Sequence, residues 1–133
     1  MDMRILNPLL LRRLPDVAAA VILLQTLWFK FSAAPESVHI FSTLGMEPWG
    51  RIASGVAELF AAVLLIMPRT AWVGAGLALA IMGGALMSHL AVLGIEIMGD
   101  GGTLFALALL VAGCSSFVLW RDRDRLRRAL RTR

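Results

Sequence analysis

Four apolar stretches leave this chain almost no choice of environment. They run over Val17–Phe31, Trp49–Met67, Thr70–Leu93 and Thr103–Trp120. Each is about 15–24 residues long, against the ~20 that a helix needs to cross a ~30 Å hydrocarbon core. The shorter stretches end in tryptophan or ionisable residues, which snorkel to the interface and make up the length. A helix satisfies all its backbone polar groups within one segment, so the stretches are read as membrane-spanning helices. The expected fold is all-α, an integral membrane four-helix bundle.

The four spans and their connections use up a chain of 133 residues that is 59% hydrophobic, with a mean hydropathy of +0.78. No length remains for a separate soluble catalytic domain. The organisation expected is an interfacial segment over 1–16, a membrane domain over 17–120 and a basic tail over 121–133. Any chemistry must take place in the membrane or on a partner.

A net charge of +4 and a pI near 11.0 raise the question of nucleic acid, but the positions of the charges argue against it. Arg4, Arg12 and Arg13 precede the first span, Arg69 follows the second, and seven arginines from Arg121 to Arg133 follow the fourth. An even number of crossings puts all of these on one side, and only Lys30 and Arg51 fall on the other. The positive-inside rule then places both termini and the Pro68–Arg69 turn in the cytoplasm. The tail's partner is expected to be the lipid bilayer, through anionic headgroups, and not nucleic acid.

The first span resembles a signal sequence in having basic residues, an apolar core and then Ser32-Ala33-Ala34. Pro35 after the would-be cut and Lys30 before it argue against cleavage. The single cysteine, Cys114, forms no internal disulfide and no C-x-x-C pair; it reads as apolar filler.

Between the spans, residues 1–15 carry Ile5, Leu6, Leu9, Leu10 and Leu11 beside three arginines, with Pro8 breaking any long helix; an interfacial segment is expected. Asp16 reads as the N-cap of span one. In the longest connection, Ser32–Pro48, Pro35 and Glu36 open a helix and Val38, Phe41 and Leu44 recur at helical spacing. Gly45 stops it, so a short amphipathic helix is expected here. Span three contains Gly74-x-x-x-Ala78 and Gly76-x-x-x-Ala80, steps of small residues that let helices approach closely. They are read as internal packing, with a homo-oligomer through the same faces left open. The tail from Arg121 reads as a charged helix with Leu126, Ala129 and Leu130 on one side.

Ionisable residues inside spans cost ~2.5–3.5 kcal/mol each at mid-bilayer, so each asks for a reason. Glu58 lies nine residues into span two, roughly 13–14 Å along a helix and close to the midplane. Arg51, Ser54 and Gly55 share its stripe. His89 is roughly 6–8 Å from the outer end of span three. Lys30 ends span one, and Glu36, His39, Glu47, Glu96 and Asp100 occupy the outer connections. In a four-helix bundle these groups converge on one outer-half pocket. Glu58 and His89 are the candidates for proton chemistry; Lys30, Arg51, Glu36 and Asp100 are the candidates for binding a ligand. Each also has a structural reading: Glu58 and His89 as interhelical struts, Arg51 and Lys30 as snorkelling ends, Asp100 as the cap of span four, and Glu36 as a solvated or capping residue. His39 and His89 form no i, i+4 pair, so neither haem nor a metal is expected.

The same segments carry a family resemblance. Lys30-Phe31, Ala34-Pro35-Glu36-Ser37, Gly45-Met46-Glu47-Pro48-Trp49-Gly50-Arg51 and Gly55-Val56-Ala57-Glu58-Leu59 resemble the DoxX-like family of small four-span bacterial membrane proteins. Ser88-His89-Leu90, Leu93-Gly94-Ile95 and Asp100-Gly101-Gly102 followed by Leu104-Phe105 fit the same pattern. The resemblance covers about residues 15–120. It implies a bacterial inner membrane and an accessory subunit of a membrane redox system, with a protein partner and quinone or a similar small ligand in the outer-half pocket. No redox cofactor site is visible in this chain alone, so whether it is an enzyme stays open. A small proton-coupled transporter and a non-catalytic assembly or scaffold protein are the alternatives.

Overall fold

Proline punctuates the helices of this chain where a missing N–H costs nothing. Pro15 lies in the first turn of one helix and Pro35 opens another, the positions at which a helix has no internal acceptor for that donor. The computed structural model describes residues 8–131. Arg4, Ile5, Leu6, Arg133 and the side chain of Leu9, which entered the sequence reading, lie outside what is described. The elements are α1 (Pro8–Arg12), α2 (Leu14–Phe31), α3 (Pro35–Thr43), α4 (Trp49–Ile66), α5 (Ala71–Ser88), a π-helical turn (His89–Leu93), α6 (Thr103–Arg121) and α7 (Arg123–Arg131).

Four of these are long and apolar enough to cross a membrane: α2, α4, α5 with its π turn, and α6. The protein is a multi-pass membrane protein with an all-α four-helix bundle. The spans form a ring, each packing on the next in chain order and α6 closing back onto α2. The core between them is built from small residues: Ala19 and Ala20, Ala61 and Ala62, Ala71, Ala75 and Ala78, filled out by Leu23, Leu65, Val111 and Val118. Larger apolar side chains such as Val21, Phe60, Leu109 and Leu110 point outward. Lipid is as apolar as a protein interior, so close backbone approach, not hydrophobic burial, holds such helices together.

Gly74 shows how close that approach is. A Cβ there would lie 2.7 Å from the Leu65 nitrogen and 2.8 Å from the Ala61 oxygen, both backbone atoms of α4. The Gly74-x-x-x-Ala78 step is therefore an internal contact between α4 and α5. Gly76 has nothing within 4 Å of its Cβ position, so only the first of the two small-residue steps packs inside the bundle.

The sequence reading of Asp16 is corrected by the structure. The N-cap of α2 is Arg13, and α2 begins at Leu14, three residues before Val17. Asp16 lies within the first turn and is fully buried. Arg121, at the end of α6, donates to both its oxygens at 2.6 and 2.9 Å, and Arg13 pairs with it from one turn back. The charge that argued for a later start is neutralised in place. Arg13 also donates to the Leu65 and Ile66 carbonyls at 2.9 and 2.7 Å, satisfying the end of α4. Three of the four spans are thus tied at what we call the basic face.

Candidate functional site

The polar stripe of α4 sets the site. Arg51, Gly55, Glu58, Ala62 and Leu65 recur every three or four residues and are all buried, which puts them on one face of the helix. That face meets α2 across Gly55. A Cβ on Gly55 would lie 2.8 Å from the Phe31 ring, so the absence of a side chain is what lets the end of α2 come this near.

Lys30 uses that proximity. Its ammonium forms an ion pair with Glu58 and donates to the Ser54 hydroxyl at 3.2 Å. Thr26, one turn earlier on α2, donates to the Leu23 carbonyl at 2.8 Å and lies 3.3 Å from the other Glu58 oxygen. The pair is nearly out of solvent, with side-chain exposures of 15% for Lys30 and 2% for Glu58. Two charges held this deep are tolerated only because each satisfies the other.

Both residues face a cavity of about 520 Å³ in the half of the bundle away from the basic face, within the size range of small-molecule sites. Leu23, Met82 and Val111 close it below. Ile40, Phe41 and Leu44 of the amphipathic helix α3, with Met46 and Trp49, line another side. The polar groups on its wall are few: Thr26, Lys30, Ser37, Ser54, Glu58, Ser88 and His89.

His89 stands where α5 turns into the π segment. Its Nδ1 lies 2.8 Å from the Gly94 carbonyl and its ring meets Phe105 edge-on at 5.5 Å between centroids. A carbonyl only accepts, so Nδ1 carries the proton and a neutral ring keeps its lone pair on Nε2. Nε2 has no hydrogen-bond partner among the described residues and belongs to a residue of the cavity wall. The π turn serves this arrangement by bringing Gly94 back over the histidine, whose own carbonyl accepts from the Gly94 N–H at 2.7 Å.

The structure thus gathers Glu58, His89 and Lys30 around one cavity and sets the other three candidates outside its wall. Arg51 is buried behind Lys30. It donates through Nε to both Glu47 oxygens, at 2.9 and 3.1 Å, and through another nitrogen to the Lys30 carbonyl. Asp100 organises the turn before α6, accepting from the backbone nitrogens of Ile97, Gly102 and Leu104 at 3.0, 2.8 and 3.1 Å. Burial pushes its carboxyl pKa up, but these three N–H groups outweigh that and hold it below the usual carboxylate range. Glu36 is half-buried in the first turn of α3 and does not reach the cavity.

Two features were not found from sequence. Thr26 looked like an ordinary residue of a span, although its position four before Lys30 puts both on one helical face. The Asp16–Arg121 contact joins residues 105 apart; the only signal for it was a carboxylate and an arginine at matching depths in the first and last spans. Among the described residues no three His, Cys, Asp or Glu side chains gather as a metal site requires. No family model, curated protein or solved structure matches the chain.

Proposed function

We propose that this chain is a DoxX-like accessory subunit of a bacterial inner-membrane redox system, with both termini cytoplasmic. In this reading the cavity binds quinone or a similar small apolar ligand with a hydrogen-bonding head. The observation that carries the proposal is the Lys30–Glu58 pair and His89 lining one largely apolar cavity within the bundle. Fixed polar groups at the wall of an apolar pocket are the general design of small-ligand sites.

A bound quinone supplies two-electron redox chemistry; electrons come from a partner subunit. This chain's residues bind and orient. The apolar wall of Leu23, Ile40, Phe41 and Val111 takes a ring and its substituents and excludes water. The Lys30 ammonium offers a donor to one quinone oxygen, and His89 Nε2, able to take up a proton from the outer side, would pass it to a quinone oxygen as the electrons arrive. Glu58, held by Lys30 and beside Thr26, would take up and pass on the second proton from the same wall.

One observation favours the scaffold reading instead. Both Glu58 oxygens already have partners within the bundle, as an interhelical strut would. Protein purified gently from its own membranes distinguishes the two. A stoichiometric quinone band in the oxidised-minus-reduced ultraviolet spectrum, weakened in Glu58→Gln while the protein still inserts, is expected if the cavity binds quinone. A featureless native spectrum, together with full activity of the partner complex in Glu58→Gln, would overturn it and leave the strut.

A further inference from the structure

Arg125 fixes the course of the C-terminal helix. The helical path is interrupted at Asp122, and beyond it Arg125 donates to the Pro68 carbonyl, in the turn between α4 and α5, at 2.7 Å. α7 also touches α5. It therefore turns beneath the bundle, across the basic face. Its first residue is held beside Trp120: the Arg123 guanidinium lies 4.9 Å from the centre of the indole and donates to the Trp120 carbonyl at 2.9 Å. Trp120 is 62% exposed at the end of a span, the position at which tryptophan marks the headgroup level.

The arginines of this face fall into two groups. Arg13 and Arg121 are taken up by Asp16 and Asp122. Arg12, Arg69, Arg123, Arg125, Arg127, Arg128 and Arg131 are exposed, and Asp124 is the one carboxylate of α7. Leu126 and Leu130, four residues apart, share a side of the same helix. Leu130 is 67% exposed.

We propose that α7, together with Arg69, is an interfacial helix that binds the anionic phospholipids of the leaflet at the basic face. The guanidinium groups take headgroup phosphates, for which their planar fork is suited, and Leu126 and Leu130 enter the acyl boundary. Lipid is favoured by continuity, because Trp120 and the Pro68–Arg69 turn place this surface where the spans leave the bilayer. It is favoured also by the apolar edge, for which a nucleic-acid backbone has no use. The inference does not rest on the cavity.

Full-length protein in nanodiscs of phosphatidylcholine, with or without phosphatidylglycerol, provides the test, read as amide hydrogen exchange along α7. Each arginine near an anionic surface strengthens association about fivefold, so three contribute on the order of a hundredfold. Protection of α7 should be higher in the anionic discs and fall as salt is raised. It should fall by about that hundredfold when Arg127→Gln, Arg128→Gln and Arg131→Gln are combined, with exchange in the four spans unchanged. Equal protection in both lipids overturns the proposal. So does protection that rises only on adding an oligonucleotide or a cell-derived protein.

Discussion

Arg51 donates to the main-chain carbonyl of Lys30, the residue whose ammonium pairs with Glu58. α4 therefore grips one residue of α2 twice, at the backbone from Arg51 and at the side chain from Glu58 two turns further on. The last carbonyls of a helix have no internal partner, and a cation placed there satisfies one and complements the helix dipole. The position of the ammonium in the cavity is thus set by α4, whose Arg51 is itself held by Glu47.

Arg51→Met should remove this grip without emptying the space. Loss of hydrogen bonds from a buried charged group costs about 1.5–3 kcal/mol, so a lowered unfolding temperature in detergent is expected. Arg51→Lys should recover little of it, because an ammonium has no fork to reach both Glu47 and the Lys30 carbonyl. A lysine variant as stable as the native protein would count against the double grip.

The Lys30–Glu58 pair should show strong coupling. Removing one partner leaves a buried charge alone and typically costs 3–5 kcal/mol, whereas replacing both with apolar groups of similar size is often nearly neutral. Lys30→Met and Glu58→Leu should each destabilise the bundle severely, and the double variant should regain most of the loss. Denaturant unfolding of the four species measures the coupling, and simple additivity would show the two residues to be independent. If the cavity binds ligand as proposed, the double variant folds but no longer holds it.

The spans were legible because the membrane imposes one length and one kind of side chain on them. The short helix over Pro35–Thr43 was legible for a local reason, a proline at one end and Gly45 at the other. Of the site, Glu58, His89 and Lys30 could be found because lipid makes every buried ionisable group conspicuous. Arg51 and Asp100 looked the same in sequence, yet one clamps a helix end and the other caps a turn. Which role a charge takes depends on what faces it across the bundle. For the same reason Asp16 was misread: an N-cap is a local feature, and its actual partner Arg121 is contributed by the last span.

Gly74 and Gly76 should respond oppositely to the same substitution. A methyl group at Gly74 meets backbone atoms of α4 at under 3 Å, so α4 and α5 must move apart; overpacking of this kind costs about 1–3 kcal/mol. At Gly76 the space is open, and alanine gains up to about 1 kcal/mol from helix propensity. Thermal unfolding of Gly74→Ala and Gly76→Ala in one detergent checks both signs. Loss of a dimer in Gly76→Ala, seen by light scattering, would instead show that this outer face meets a second copy.

Acid should loosen the bundle from both ends through carboxylates outside the spans. Burial raises the pKa of Asp122, but the hydrogen bond from Arg121 and the charges of Arg121, Arg125 and Arg12 bring it below the ordinary value; the backbone N–H groups around Asp100 do the same there. A carboxyl with a lower pKa folded than unfolded binds more protons in the unfolded chain, so stability rises with pH through this range. The contribution is fully present above the usual aspartate pKa of about 4. It disappears as pH falls through the lowered folded values. Unfolding followed against pH should show a loss confined to the acid side. Asp122→Asn should be less stable than the native protein at neutral pH and converge with it at low pH, where the native carboxyl is protonated as well. A constant difference across the whole range would show that the Asp122 charge contributes nothing and that only its shape matters.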